Sequence, residues 1–256
     1  MAPSLAPLLE LPGVRDAVDQ ARAAVDQALR HPALRRSGGA VAAELGLRSA
    51  VASAALEGHR YPLDEVRSGT VTDPVVQGAL RASAALDQLS LRWRSAPRQV
   101  LARLHVLAAT GCPGVGPDDL GRPLAAPEVA ARLDLLTDVI AAGPDEVPAV
   151  IRAAVVHGEL LAVRPFPGPS GVVARAAARL TLIADGMDPR GLLAPEVAHL
   201  ALEPEYVGTV NAFTAGTPDG VRSWLRHCAA AVTEAAQELT RVADAANVLT
   251  GRSGRA

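Results

Sequence analysis

An all-α fold is predicted by three features of the sequence. Apolar residues recur at spacings of three and four: Val14, Ala17, Val18, Ala21, Val25 and Leu29 share one face, with Asp16, Asp19, Gln20 and Asp26 off it. That period of 3.6 is the signature of an amphipathic helix, whose apolar stripe faces a core. Prolines stand where a helix start tolerates the missing N–H, at Pro74, Pro97 and Pro127. Third, 49% of the 256 residues are apolar but only 2% are aromatic, so the core must be built from Ala, Val and Leu. Ala and Leu are strong helix formers, and small side chains let helices approach closely.

Taken in order, the helical stretches after the first read as 41–56, 75–93, 97–109, 127–142, 146–163, 170–185 and 221–249. Gly58, Gly143 and Gly186 follow three of these runs, where a helix commonly turns out through a left-handed residue. Strand alternation is absent, save for a short candidate around 120–124. The loop from Gly111 to Asp119 is the clearest break. It divides an N-terminal helical layer, 1–110, from a second group of helices, 111–249. A Gly/Arg tail, 250–256, is expected to be flexible. Short linkers favour one compact domain, with no internal repeat.

Composition excludes several functions. A net charge of -2 argues against a nucleic-acid surface, which needs clustered cations to release counterions. All 25 Lys+Arg positions are arginine, which removes Schiff-base, lysine-nucleophile and P-loop lysine chemistry. No apolar run approaches the roughly 20 residues of a membrane-spanning helix. The first residues carry no cationic n-region of a secretory signal. Cys112 and Cys228 have neither disulfide-framework nor metal-ligand spacing. The expectation is a soluble cytoplasmic protein, with a homodimer compatible, that binds no nucleic acid or membrane and requires no cofactor.

The most informative segment runs from Ala162 to Arg175, Ala-Val-Arg-Pro-Phe-Pro-Gly-Pro-Ser-Gly-Val-Val-Ala-Arg. One helix ends, a Pro/Gly loop follows, and another helix begins near Ser170. Loop amides and a helix N-terminus converging on one point make an anion site in kind, with Arg164 and Arg175 adding charge. The plain alternative is a helix–loop–helix connection with two solvated arginines.

The same segment resembles the signature loop of the Fic (Fido) family, H-P-F-x-[DE]-G-N-G-R-x-x-R. Neighbouring pieces resemble it in the same order: Ala153–Leu160 before the loop, Leu104-His105 upstream, and Tyr206 with Gly220-Val-Arg-Ser-Trp224-Leu downstream. Ser53-Ala-Ala-Leu-Glu57-Gly58 is similar to the [ST]-x-x-x-E-[GN] inhibitory helix of many members. The resemblance implies a Fido-like helical bundle, and residues 116–126 would be a vestige of its flap, where target segments dock. Most members transfer AMP from ATP to a protein hydroxyl.

That chemistry needs parts this loop lacks. Where the family has its histidine base stands Arg164, whose guanidinium stays protonated and offers no lone pair. Gly168 replaces the acidic magnesium ligand, Ser170 the phosphate-binding asparagine and Val172 the first motif arginine. Phe166, Gly171 and Arg175 remain. Base and metal are each worth orders of magnitude in rate, so no AMP transfer is expected and Mg²⁺ binding is disfavoured. What remains is an anion- or nucleotide-binding set, Arg164, Ser170, Gly171 and Arg175, with ATP or another nucleotide as the candidate ligand. An inhibitory-type set, Ser53, Glu57 and Gly58, would meet it. A Glu57–Arg175 contact, shared with Arg164, is expected, either for regulation or simply because half of a buried ion pair is costly.

His157 reads as a core histidine, two turns before Arg164. His105, His199 and His227 have no claim on the site, while His59, just after Glu57, could face it. Three functions follow: a non-catalytic regulator that senses an anion or binds an unidentified protein partner; a nucleotidyl- or phosphotransferase with Glu57 as an unorthodox base; and a scaffold with an empty pocket.

Overall fold

The computed structural model describes residues 4–143 and 147–253. Helix α1, Val14–Leu29, buries Val14, Val18, Ala21, Val25 and Ala28, which is the stripe the spacing predicts, shifted by one residue at its end. Helix α2, Leu34–Ala55, begins well before residue 41 and runs through Ser37-Gly38-Gly39. Only Ser37 leaves helical geometry there (φ -117°, ψ 15°). Burial of Leu34, Val41 and Leu45 on both sides of that weak stretch holds it helical against the glycine propensity. A short α3, Leu63–Arg67, precedes α4, Pro74–Ser90. Asp73 caps α4 by accepting from the Val75 and Val76 amides at 2.9 and 3.2 Å.

Helices α5, Pro97–Ala109, and α6, Pro127–Ala141, open on their prolines as expected. Helix α7, Ala149–Val163, and α8, Ser170–Ala184, flank the loop of interest. The expected start of α7 at residue 146 lies outside the described residues. Helices α9, Pro195–Ala201, and α10, Glu203–Thr214, were not legible as periodic stretches. α9 is too short for a period to register, and α10 buries only Tyr206 and Phe213. Helix α11, Pro218–Ser253, is 36 residues long. It begins before residue 221 and continues through 250–253, so that part of the expected flexible tail is helix; 254–256 lie outside the described residues.

No strand occurs among the described residues. The candidate at 120–124 is loop, and its one strand-like link is the Leu124 amide donating to the Pro165 carbonyl at 2.8 Å. A 3-10 turn, Pro117–Asp119, precedes it.

Two apolar cores are joined by α7. The first gathers α1, the start of α2, Leu192–Ala194, α10 and α11 around Val150, Ile151 and Ala154 of α7. The second gathers the end of α2 with α4, α5, α6 and α8 around Val156 and Leu160. Each core draws on residues from both sides of the Gly111 loop. The fully buried tryptophans each find an acceptor: Trp93 Nε1 donates to Thr181 Oγ1 at 3.1 Å and Trp224 Nε1 to the Ala154 carbonyl at 2.8 Å.

Close approach in the first core depends on Gly158 of α7. A Cβ there would stand 2.7 Å from Phe213 Cε1 and 2.8 Å from Trp224 Nε1, inside contact distance of two rigid rings. Overpacking of this kind costs about 1–3 kcal/mol. Gly158→Ala is therefore expected to lower the urea midpoint by a corresponding amount with the slope of the transition unchanged; an unchanged midpoint would show that this end of the core is loosely packed.

Candidate functional site

The end of α2 lies against the start of α8, and the pairing is written in two residue ladders. Ser49 and Ser53 sit one turn apart on α2, and Arg179 and Arg175 sit one turn apart on α8. Arg179 Nη1 donates to Ser49 Oγ at 2.8 Å, and Arg175 Nε donates to Ser53 Oγ at 2.9 Å. Residues four apart share a helix face, so two such pairs fix the helices antiparallel and in register. Both arginines are buried, Arg175 to 2% exposure.

After Ala55 the helix closes and Gly58 turns the chain out at φ +91°, a value that strains any residue with a Cβ. That turn leaves Glu57 pointing at α8. Its Oε1 lies 2.8 Å from Arg175 Nη2, with Glu57 still 23% exposed. Arg175 Nη2 also donates to the Ser53 carbonyl at 2.8 Å, and Nη1 to the Tyr206 hydroxyl at 3.3 Å. Burial opposes the charged form of Arg175, but Tyr206 and Glu57 outweigh it and hold the guanidinium above its usual range.

Gly171, in the first turn of α8, has no side chain because the Glu57 carboxylate occupies the space. A Cβ there would collide with Glu57 Oε1 and stand 2.8 Å from Arg175 Nη1. The carboxylate thus sits over the N-terminal turn of a helix, where the helix dipole favours negative charge, while the Ser170, Val172 and Val173 amides of that turn already donate to the Gly168 and Pro169 carbonyls. Ser53, Glu57, Gly171 and Arg175 are brought together as expected.

The remaining expected residues are not. Arg164 is exposed, makes no ion pair among the described residues, and does not share Glu57. It caps α7 in the left-handed region (φ 45°, ψ 61°), the one non-glycine residue there among those described. Such a conformation costs about 1–3 kcal/mol and histidine tolerates it better than most residues, so the loop backbone is held by its surroundings. Ser170 donates its hydroxyl to the Phe166 carbonyl at 2.8 Å, which closes the loop. Pro165, Pro167 and Pro169 carry no N–H, and the Ser170 amide is used by the Gly168 carbonyl at 2.8 Å. The loop therefore presents fewer amides than an anion cradle of this length normally would.

The residues do not fit the magnesium ion that the family's activity uses. Gly168 supplies no side-chain oxygen, and it stands at φ +80° with Val115 Cγ2 2.8 Å from where a Cβ would be. An acidic residue there would need both a left-handed backbone and a shift of Val115. No cluster of three or more His, Cys, Asp or Glu suited to a metal occurs among the described residues.

His105 belongs to the site, although sequence reasoning gave it no role. The Gly121 amide donates to its Nδ1 at 2.9 Å, so the ring proton is on Nε2, which donates to the Pro167 carbonyl at 2.8 Å. The ring also stacks on Phe166 with centroids 4.7 Å apart. His105 thereby pins the expected flap segment to the loop, and burial keeps its pKa below the usual value. The available signal was its place beside Leu101, Leu104 and Ala108 on the buried face of α5. His59 instead pairs with Asp73 at 2.8 Å and does not touch the Arg175 site.

His157 is buried as expected, with Nε2 3.0 Å from the Tyr206 hydroxyl. His199 lies beside it, ring centroids 5.3 Å apart. Burial, then the Arg175 charge and His227, depress the His157 pKa well below normal; burial, His157, His227 and Arg175 do the same to His199. Both stay neutral in the fold, whereas the unfolded chain takes up protons near pH ~6.5. Stability is therefore full above that pH and falls as the pH drops below it, by up to about 1.4 kcal/mol per pH unit per histidine. Urea unfolding from about pH 7.5 to about pH 5.5 is expected to show this fall, shallower by one histidine's share in His157→Gln; parallel profiles would contradict the assignment.

No protein-family model and no curated protein sequence matches the chain. Solved structures do. A Fic family protein from Desulfovibrio desulfuricans G20 superposes with a TM-score of 0.68 at 18% identity, covering 89% of this chain and 74% of the other. A fragment of Fic-1 from C. elegans superposes with a TM-score of 0.68 at 20% identity, covering 89% of this chain and 71% of the fragment. At such identities the likeness is one of architecture. The helices, their order and their packing are those of the Fic (Fido) fold.

Proposed function

We propose that this Fido-fold protein is a regulator without AMP-transfer activity, whose anion site at the start of α8 is kept shut by its own Glu57 until an anionic ligand or partner displaces it. The observation that carries this reading is the Glu57 carboxylate held by Arg175 in the space over Gly171. It supports a site built for negative charge and already filled by one. Two further features support the absence of transfer chemistry. A guanidinium stands at the position of the base and cannot accept a proton, and the position of the metal ligand is a glycine with no side-chain oxygen. Glu57 as a replacement base is disfavoured, because that carboxylate is itself the occupant of the site. A nucleotide bound through its phosphates without metal is the ligand class this arrangement favours.

Calorimetric titration with ATP, ADP and AMP, with and without Mg²⁺, tests the reading. Glu57→Ala is expected to bind at least one of them about tenfold or more tightly than the parent protein, a difference of about 1.4 kcal/mol, and independently of Mg²⁺. Equal or weaker binding by Glu57→Ala would contradict an anion site blocked by that residue. Labelled ATP is expected to leave no AMP on any protein in either form, and label transferred in a Glu57-dependent way would overturn the regulator reading.

A further inference from the structure

The guanidinium that holds Glu57 through Nη2 reaches Tyr206 through Nη1, and Tyr206 is walled by three buried imidazoles. His157 of α7 has Nε2 3.0 Å from the phenol oxygen. The His199 ring of α9 lies 4.6 Å from the tyrosine ring and the His227 ring of α11 lies 5.9 Å from it, centroid to centroid. Six aromatic residues serve the whole chain, and three of them, Tyr206, Phe213 and Trp224, gather at this one end of the first core. Apolar side chains would fill the space without any polar atoms, so three imidazoles packed beside a buried cation, His157 bonded to Tyr206 and His199 to His227, call for another account.

The protons of the row follow from its partners. His227 Nδ1 is 3.1 Å from Glu205 Oε1, and a carboxylate only accepts, so the His227 proton is on Nδ1. His227 Nε2 and His199 Nδ1, 3.0 Å apart, are joined by one hydrogen bond. Arg175 only donates, so the Tyr206 oxygen accepts from Nη1 and the phenol proton points at His157 Nε2. Burial lifts the phenol to about 12, against the pull of Arg175, so it remains protonated. The titratable groups around His157 are Arg175 from α8, Tyr206 from α10, His199 from α9 and His227 from α11, with Glu205 paired to His227 and the Cys228 thiol acting on Tyr206. Burial keeps that thiol neutral. In the closed state Glu57 alone offsets Arg175, and an imidazolium beside that pair would be an uncompensated buried cation.

We infer that this row links the Arg175 site to protons: an anion that replaces Glu57 is bound together with one proton on His157. The inference rests on the reading that an anion can displace Glu57. A phosphate group brings about two negative charges where Glu57 brings one, and the surplus offsets the imidazolium. The hydrogen bonds then reverse. Protonated His157 Nε2 donates to the Tyr206 oxygen, and the phenol proton is freed to turn toward the incoming anion. One proton enters from solvent and no other bond changes. Glu205, 57% exposed, holds His227 at the solvent-facing side of the cluster. Binding free energies are reciprocal, so proton uptake on binding means that affinity rises as the pH falls.

The test titrates ATP, without metal, into Glu57→Ala and into Glu57→Ala/His157→Gln, in two buffers of different ionisation enthalpy. The double variant cancels the titration of the nucleotide itself. Near pH ~6, Glu57→Ala is expected to take up close to one proton more per ATP than the double variant, and its affinity advantage to grow up to about tenfold per pH unit on acidification. Should the double variant fail to fold, the His157 ring resonances of Glu57→Ala give the same readout: their titration midpoint moves up when ATP is added. Equal proton uptake in both variants, or an unmoved His157 titration with ATP bound, overturns the inference and leaves the anion-site reading standing. No ATP binding by Glu57→Ala overturns both.

Discussion

A guanidinium in the interior must be met by hydrogen bonds and a counter-charge, and Arg175 organises its surroundings on that requirement. Ser53 takes two of its donors, Tyr206 a third, and Glu57 supplies the charge. Each partner comes from a different element: the body of α2, the turn that ends it, and α10. Removing any partner would leave a buried donor unmet, which costs more than the bond itself contributes. The pair is also placed at the start of α8, where the helix dipole favours the carboxylate. The packing of α2 on α8 and the position of the Glu57 carboxylate therefore arise from one set of contacts.

The loop beside it is tied down with equal thoroughness. The carbonyls of Pro165, Phe166, Pro167 and Gly168 accept from the Leu124 amide, the Ser170 hydroxyl, His105 and the Ser170 amide in turn. Pro165, Pro167 and Pro169 contribute no amide to the loop, and Val115 stands against Gly168. The Ser170 amide is turned inward, and the left-handed backbone at Arg164 carries an exposed guanidinium.

How much of this was legible in the sequence varies with the physical signal. The helices with wide apolar stripes, such as α1 and α5, read directly from their spacing, and the proline-led starts of α4 to α6 needed nothing more. α9 and α10 did not, because α9 is only seven residues long and α10 buries two side chains, which leaves almost no period. The start of α2 was misread because burial of Leu34 and Val41 overrides the glycine pair between them. At the site, the Glu57–Arg175 contact spans 118 positions and was legible only through the family resemblance. Arg164 was expected at the same contact and is not there, since a loop side chain's direction depends on backbone angles that residue order does not encode. His105 meets the loop from α5, and the histidines around Tyr206 come from α7, α9 and α11, so neither grouping could be read before the helices converge in three dimensions.

The most direct measurement is a crystal structure of Glu57→Ala grown with ATP and no divalent metal. The account predicts a phosphate group in the space the carboxylate leaves, over Gly171 and within hydrogen-bond distance of Arg175 Nη2, with Arg175 still bound to Ser53 and Tyr206. An Arg175 side chain turned out of the pocket, or a nucleotide seated elsewhere with that space filled by solvent, would contradict it.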